Sequence, residues 1–231
     1  LNIGSDAIIE YEGLGRCPFP PTDPNVRIME FVILPPHGMD GLPSTLTFYT
    51  IHDASRPPDA VIFADGACTV TTGASGAGIH VTKRATSDTA ESVEKHSKFF
   101  AASTNNVMEY IAFIGALNWV VKNPMRTLVI LDSQVVISSF RGSRRNLDPH
   151  LVELCNQARA LYARLGDLVM IAHMLREEGN KADAVAVDAK RCGSGIGDQA
   201  FFPDHAPIVP RRRPKCSAIR PEVIDVAEIP F

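Results

Sequence analysis

The sequence lacks the long apolar run that a membrane-spanning helix requires, since no stretch reaches about 18 consecutive apolar residues. It also lacks a CxxC pair, and its five cysteines are odd in number. These absences argue against structural zinc and against a disulfide framework. We therefore expect an intracellular, reduced protein that makes no membrane contact. The cysteines are Cys17, Cys68, Cys155, Cys192 and Cys216.

An excess of positive charge is missing as well, because the formal net charge is −3. A nucleic-acid site, if there is one, must therefore be a local arrangement of side chains. The first residues, LNIGSDAIIEYEG, are acidic and do not have the pattern of a signal peptide. They also lack a starting Met, which is typical of a processed product or of a part of a longer chain. The 231 residues suffice for one domain with an extension, or for two small domains.

The chain divides into three parts by pattern. Residues 1–58 are rich in loops, with two strand-like runs at 26–34 and 45–51 that predict a β-hairpin with a long connection. Residues 59–190 have clear strand and helix periodicity. The tail, 191–231, has little pattern apart from the basic cluster RRRPK at 211–215. This cluster is typical of a solvated charge run, and a nucleic-acid or targeting contact is the alternative.

Within the middle part, three apolar strands precede an alternation of helices and strands. This order predicts a mixed sheet with helices on its faces. The predicted strands are 60–65, 76–83, 98–103, 127–132 and 168–174, and the predicted helices are 104–122, 135–140, 149–165 and 180–190.

Four carboxylates occupy positions where an acid is unexpected. Asp65 and Asp132 each end a predicted apolar strand, and Glu109 lies one turn into a mostly apolar helix. Asp183 opens the last helix beside two alanines. Any one of them alone is most simply explained as a cap or as a satisfied salt bridge. Four in one α/β domain favour a metal site, because buried acids need a partner and divalent cations that prefer oxygen ligands relieve their repulsion.

The segments that carry these acids resemble type 1 ribonuclease H in four motifs and in their order. They are FADGAC (63–68), TNNVME (104–109), LDSQVVI (131–137) and HMLREEGNKAD (173–183). The resemblance covers about residues 60–190. It implies an α/β, ribonuclease H-like fold with a five-stranded mixed sheet in the order 3-2-1-4-5, whose first three strands are antiparallel. Helices would cover both faces, and residues 1–58 would form a β-rich or irregular extension.

The resemblance also implies an activity. Such an enzyme is an endonuclease that hydrolyses the RNA strand of an RNA–DNA hybrid by a two-metal-ion mechanism. Asp65, Glu109, Asp132 and Asp183 would be the catalytic and metal-binding acids. The cofactor would be a pair of Mg²⁺ ions, for which Mn²⁺ can substitute.

Further residues are implied to bind the substrate. The start of the helix at 104 suits a phosphate of the DNA strand, because free backbone N–H groups and polar side chains meet there. A plain N-cap is the alternative role for Thr104. Gln134 would help to read the RNA strand. The full set of implied substrate-binding residues is Gly66, Cys68, Thr104, Asn105, Asn106 and Gln134.

His173 precedes Asp183 by ten residues, which is the spacing of a mobile-loop histidine in the bacterial-type enzymes. It would lie at the edge of the metal site on a stretch containing Gly179, and it could transfer a proton near neutral pH. The alternative is a polar residue that ends the fifth strand. The loop MLREEGN differs from the Gly- and His-rich loop of those enzymes and resembles a REEN-type loop.

The sequence departs from the family in two substrate-binding features. Thr71 stands near the place of an asparagine that contacts RNA in many relatives, and RGSRRN (141–146) is at most a short substitute for the basic handle of the bacterial enzymes. Two other interpretations remain open. The chain could be the ribonuclease H domain of a retroelement polyprotein, linked to a reverse transcriptase, or a catalytically silent nucleic-acid-binding scaffold.

Overall fold

The computed structural model describes residues 9–10, 31–33, 46–50, 58–85, 89–142 and 148–204. Most of the segment 1–58 therefore lies outside the described residues. So do residues 143–146 of the basic stretch RGSRRN and the cluster at 211–215. The predictions made for those regions, including the three-part domain boundaries, stay predictions.

Eight strands of the described chain form one mixed sheet, in the order β1-β2-β3-β8-β7-β4-β5-β6. The five strands from β4 onward have the predicted order 3-2-1-4-5, so the predicted fold class is confirmed. The sheet is wider than predicted because β3 pairs antiparallel with β8 and brings β2 and β1 with it. The strands are β1 (Ile9–Glu10), β2 (Phe31–Ile33), β3 (Leu46–Thr50), β4 (Ala60–Cys68), β5 (Ser75–Lys83), β6 (Ser92–Phe100), β7 (Thr127–Leu131) and β8 (Val169–Met174).

Strand direction follows the predicted scheme. β5 is antiparallel to both β4 and β6, whereas β7 is parallel to both β4 and β8. The pairing of β4 with β7 covers only Ala60–Phe63, although β4 continues to Cys68 beside β5. The prediction that Asp65 ends its strand was therefore wrong. Asp65 lies inside β4, just beyond the point where the strand loses its parallel neighbour.

Four α-helices cover the two faces of the sheet: α1 (Asn105–Lys122), α2 (Gln134–Phe140), α3 (Pro149–Leu165) and α4 (Asp183–Cys192). α1 packs over β4 and β5 and contacts α3, and α4 packs on the opposite face. Glycines on the two faces allow these close approaches. A Cβ added at Gly66 would overlap the backbone of α1, and one added at Gly76 would overlap the backbone of α4.

α1 is the central helix of the larger apolar core. Most of its residues from Val107 to Val120 are buried, and they pack between the sheet and α3. The burial of nearly every side of this helix explains its uniformly apolar sequence. Within the described residues, no helix combines the length and the hydropathy that crossing a bilayer requires.

After α4, residues 193–204 form what we call the C-terminal strap. The strap returns across the outer edge of β6, where Ser97 N–H donates to the carbonyl of Ile196 at 2.9 Å. Its short 3-10 helix (Gln199–Phe201) lies on α1, where the Asn118 amide donates to the carbonyl of Phe201 at 2.7 Å. Asp198 forms an ion pair with Lys122 at 2.9 Å. The strap thus joins the end of the domain to β6 and α1.

Candidate active site

Three of the four predicted acids come together in the fold. Ligand oxygens of Asp65, Glu109 and Asp132 lie within 4.8 Å of one another, the spacing of a group that could hold a metal ion. Asp65 is 3% exposed and Glu109 is 4% exposed. Such buried carboxylates are costly unless a partner compensates their charge.

Chain topology explains why these acids meet. Asp132 is the first residue after β7, so it lies where that strand stops beside β4. Asp65 occupies the continuation of β4 past the same point. Glu109 reaches the site from α1, and Gly66 lets the backbone of that helix approach β4 beside it.

The buried position perturbs the acids strongly. Burial, followed by the charge of Asp132, raises the pKa of Asp65 to about 7, although the N–H of Gly66 donates to its Oδ1 at 2.8 Å and opposes this rise. Burial and the charges of Asp65 and Asp132 raise the pKa of Glu109 well above its usual value. The like charges of the cluster therefore repel one another in the metal-free protein.

The donors fit a divalent cation that prefers oxygen. In the described part of the chain, Asp132 Oδ1 is buried and has no hydrogen-bond partner. A carboxylate oxygen in this state has lone pairs available for a metal, and Mg²⁺ is held in proteins by a few carboxylates together with water and phosphate oxygens. The prediction of a divalent-metal site is thus supported in its coarser form, a three-acid cluster suited to such an ion.

Asp183 stands apart from this cluster. It is the exposed first residue of α4 and lies outside the group of three whose oxygens converge. It nevertheless lines the same cavity, and its charge contributes to the raised pKa of Asp65. Asp183 is thus a neighbouring acid at the rim of the cluster.

The acids open into a cavity of about 720 Å³. Its walls come from β4, the start of α1, the loop before α4 and α4 itself. Residues on these walls include four predicted substrate-binding positions, namely Gly66, Cys68, Thr104 and Asn105. Lys190 adds a positive charge from the last turn of α4. The cavity is therefore acidic at one side and has amide, hydroxyl and ammonium groups elsewhere.

The start of α1 has a second role that the sequence did not reveal. The side chain of Thr104, at the N-cap position, makes no capping hydrogen bond. Asn105 donates from Nδ2 to Oε1 of Glu109 at 3.1 Å, so it holds one of the acids. Asn106 is exposed on the first turn. The predicted substrate contacts of these three residues stay predictions.

His173 lies near the end of the fifth strand of the domain, as the alternative interpretation had it, and the expectation that it belongs to a flexible stretch with Gly179 was wrong. It lies in β8 and is only 6% exposed, because β3 and β7 pair with the strand on either side. Its Nε2 lies 3.3 Å from the backbone carbonyl of Asp132 and 2.9 Å from the amide nitrogen of Gln134. Burial lowers the pKa of His173. Gln134 contacts this histidine in the structure, and its predicted role in reading the RNA strand stays a prediction.

Two residues of the loop before α4 were missed by sequence reasoning. Arg176 lies 3.4 Å from Oδ2 of Asp132 and 3.6 Å from Oε1 of Glu109. Asn180 is buried, donates to the carbonyl of Ala64 and accepts from the N–H of Ala182, both at 3.0 Å. The REEGN segment was noted as a variant loop, but nothing in its spacing indicated that its arginine would contact the acids.

Comparison with known proteins agrees with this geometry. Residues 57–161 match the family model described as RNase H, a range that contains the three converging acids. The chain carries an RNase H-like domain. The prediction of a ribonuclease H-like domain in this part of the chain is therefore confirmed, and so is the predicted enzyme class, a ribonuclease H. The family match ends before β8, so Asp183 and His173 lie outside it.

Solved structures resemble the same domain. RNase H1 from the archaeon Halobacterium salinarum NRC-1 is 26% identical, with 58% of this chain and 98% of that chain covered and a TM-score of 0.50. LC11-RNase H1, isolated from compost by a metagenomic approach, is 22% identical over 58% and 97% of the chains, with a TM-score of 0.50. The N-terminal RNase H domain of rv2228c from Mycobacterium tuberculosis is 29% identical over 59% and 96%, with a TM-score of 0.49. No curated protein sequence matches the chain.

Proposed function

We propose that this chain hydrolyses the RNA strand of RNA–DNA hybrids with the help of two divalent cations, Mg²⁺ in the cell. The observation that carries the proposal is the convergence of Asp65, Glu109 and Asp132 in an open cavity of an RNase H-like domain. A buried acid cluster that opens on a cavity of about 720 Å³ suits phosphodiester chemistry better than a structural role.

The metal would be held by the three converging acids, with Asp183 at the rim available to a second ion. Two such ions supply a Lewis acid and a clamp for the attacking and leaving oxygens of a phosphodiester. The chain itself supplies the placement of the donors. Asn105 orients Glu109 through its amide, and the N–H of Gly66 orients Asp65.

Groups on the cavity walls are suited to the substrate backbone. The free N–H groups at the start of α1 favour an anion, and the side chain of Thr104 has no capping bond to give up. Lys190 offers an ammonium group on the opposite wall. We assign these groups to substrate phosphates. Recognition of the RNA strand would require contacts to its 2′-hydroxyls, which distinguish RNA from DNA at a given site.

The test uses matched 20-nucleotide duplexes of one sequence, as an RNA–DNA hybrid, duplex RNA and duplex DNA, with Mg²⁺ or with EDTA. We expect cleavage of the RNA strand of the hybrid in Mg²⁺ and none in EDTA. Duplex DNA should stay intact. Equal cleavage of all three duplexes, or cleavage that persists in EDTA, would contradict the proposal.

The variant Asp132→Asn tests whether the acids are needed for hydrolysis without changing the fold. The substitution keeps the shape of the side chain but removes a charge from the cluster, so we expect hydrolysis to fall at least about a hundredfold, as when an electrostatic group of an active site is lost. Lys122→Gln is the matched control, because Lys122 pairs with Asp198 on the strap, away from the acids. Near-normal turnover by Asp132→Asn would refute the assignment of the acids.

The other two interpretations predict different results. A silent scaffold would bind hybrid without cleaving it, in Mg²⁺ and in Mn²⁺ alike. A retroelement polyprotein would use the same chemistry, and the coding sequence on either side of this chain would show a reverse transcriptase. Intracellular location also stays a proposal, which localisation of the tagged full-length product would test.

A further inference from the structure

Arg176 makes contacts that neither the resemblance nor the proposed metal site explains. Its guanidinium lies 3.4 Å from Oδ2 of Asp132 and 3.6 Å from Oε1 of Glu109. The pKa of Arg176 is raised, mainly by the charge of Asp132 and to a smaller extent by the charges of Glu109 and Asp65. Arg176 thus pairs with two of the three acids that would bind the metal, and the charge of the third acts on it more weakly.

The surroundings of Arg176 would let it leave. Its side chain is 70% exposed. It begins a short 3-10 helix (Arg176–Glu178), which ends at Gly179 with a φ of 79°. Leu175 before it is also about half exposed. The arginine can therefore turn into solvent without unpacking the core, whereas the acids, on β4, α1 and the end of β7, stay in place.

We propose that Arg176 is a built-in counter-ion of the acid cluster, which occupies it before the metal binds and is displaced when the metal arrives. A divalent ion and a guanidinium in contact with the same carboxylates repel each other. Metal binding must therefore first break the two ion pairs of Arg176. This inference rests on the proposed function, since it assumes that the acids bind a metal.

Two consequences follow for the free protein. Arg176 lowers the repulsion among the acids, so it keeps the metal-free cluster assembled. It also competes with the metal, so it raises the cation concentration at which the site fills. Exposed ion pairs are individually weak, and two of them correspond to a change of about three- to tenfold in metal affinity.

The test compares wild type, Arg176→Gln and Arg191→Gln by calorimetric titration with Mg²⁺ and with Mn²⁺, without nucleic acid. Arg191→Gln is the matched control. It removes the same charge from a similarly exposed arginine, which pairs with Asp188 at 2.8 Å and not with the acid cluster. We expect Arg176→Gln to lower the Kd about three- to tenfold and Arg191→Gln to change it less than twofold. A Kd that is unchanged or higher in Arg176→Gln overturns the proposal.

Thermal unfolding of the same proteins distinguishes a counter-ion from a residue that only supports the loop. In EDTA, Arg176→Gln should unfold at a lower temperature than wild type, because the acids lose their counter-ion. In saturating Mg²⁺ the two should unfold at the same temperature, because the metal then replaces the arginine in both. An equal loss in both conditions shows that Arg176 only supports the loop, and overturns the proposal.

Arg176→Lys distinguishes the guanidinium from charge alone. The shorter ammonium has one compact donor group and reaches both acids less well. Its Kd should fall between those of wild type and Arg176→Gln. A Kd equal to that of Arg176→Gln would show that the counter-ion must be a guanidinium. If wild type binds neither ion, the proposed metal site fails and this inference fails with it. If wild type binds and Arg176→Gln binds equally well, the counter-ion role alone fails.

Discussion

Replacing Asp65 by Asn should stabilise the metal-free protein at neutral pH while it abolishes hydrolysis. The unfolded carboxyl group releases its proton near pH 3.8, whereas the folded one, buried and beside Asp132, keeps it up to about pH 7. Between these pH values the folded state binds more protons than the unfolded state. Its free energy of unfolding therefore falls as the pH rises, and the full cost of Asp65 is present above pH 7.

The size of this cost follows from the two pKa values. Their difference is about three units, and each unit corresponds to 1.36 kcal/mol, so the charge of Asp65 costs roughly 4 kcal/mol above pH 7. Asn removes that charge and keeps an oxygen that can accept from the N–H of Gly66. We expect a gain of roughly 2–4 kcal/mol at pH 8, the lower value allowing for the cost of burying the new amide.

Urea unfolding in EDTA at pH 4 and at pH 8 measures this gain. The advantage of Asp65→Asn over wild type should be large at pH 8 and small at pH 4, where the folded carboxyl group is protonated and the unfolded one, with a pKa of 3.8, is only a little more than half ionised. Saturating Mg²⁺ at pH 8 should reverse the order, since only wild type keeps all three ligands. An advantage that is independent of pH, or a variant less stable at pH 8, would refute the reasoning.

Three further predictions concern groups around the acids. Gly66→Ala should lower the free energy of unfolding by about 3 kcal/mol and weaken Mn²⁺ binding, because its Cβ overlaps the backbone of α1 at Glu109. Gly115→Ala is the control: its Cβ first meets the ring of Phe202, so it should destabilise the protein in urea without changing metal affinity. Asn105→Ala should raise the Kd for Mn²⁺ severalfold, since Glu109 loses a donor; an unchanged Kd would contradict this. His173→Ala should slow hybrid cleavage about tenfold by loosening Asp132, and full activity would show that the histidine only completes the strand.

Much of the fold could be predicted because periodicity and order are local properties. The run TLVIL predicted β7, and the amphipathic segment 149–165 coincides with α3. The end of β4 could not be predicted in the same way. Asp65 interrupts an apolar run, which suggests a strand end, but the ladder with β5 continues the strand to Cys68. Strand length here is set by the neighbouring strand rather than by the residues themselves.

The candidate site likewise contains residues that the local sequence reveals and contacts that depend on the folded path of the chain. Three acids could be found because a carboxylate amid apolar residues is visible in one dimension. The contact from Asn105 to Glu109 joins residues one helical turn apart and could have been inferred from their spacing. The contact from Arg176 to Asp132 spans 44 positions and depends on the path of an irregular loop. The spacing of His173 to Asp183 suggested the flexible stretch, whereas the apolar run 168–174, which contains His173, correctly indicated the strand.

The C-terminal strap has a consequence for solubility. An uncovered edge strand exposes a row of backbone groups on which another chain can pair, and such edges promote aggregation. Here the strap hydrogen-bonds to β6 through Ile196, while β3 pairs with β8 on the other side of the five central strands. A chain cut after residue 190 would expose the β6 edge together with the surface of α1 that Phe201 and Phe202 cover. We expect such a truncated protein to self-associate, and recombinant forms of the domain should therefore extend to residue 204.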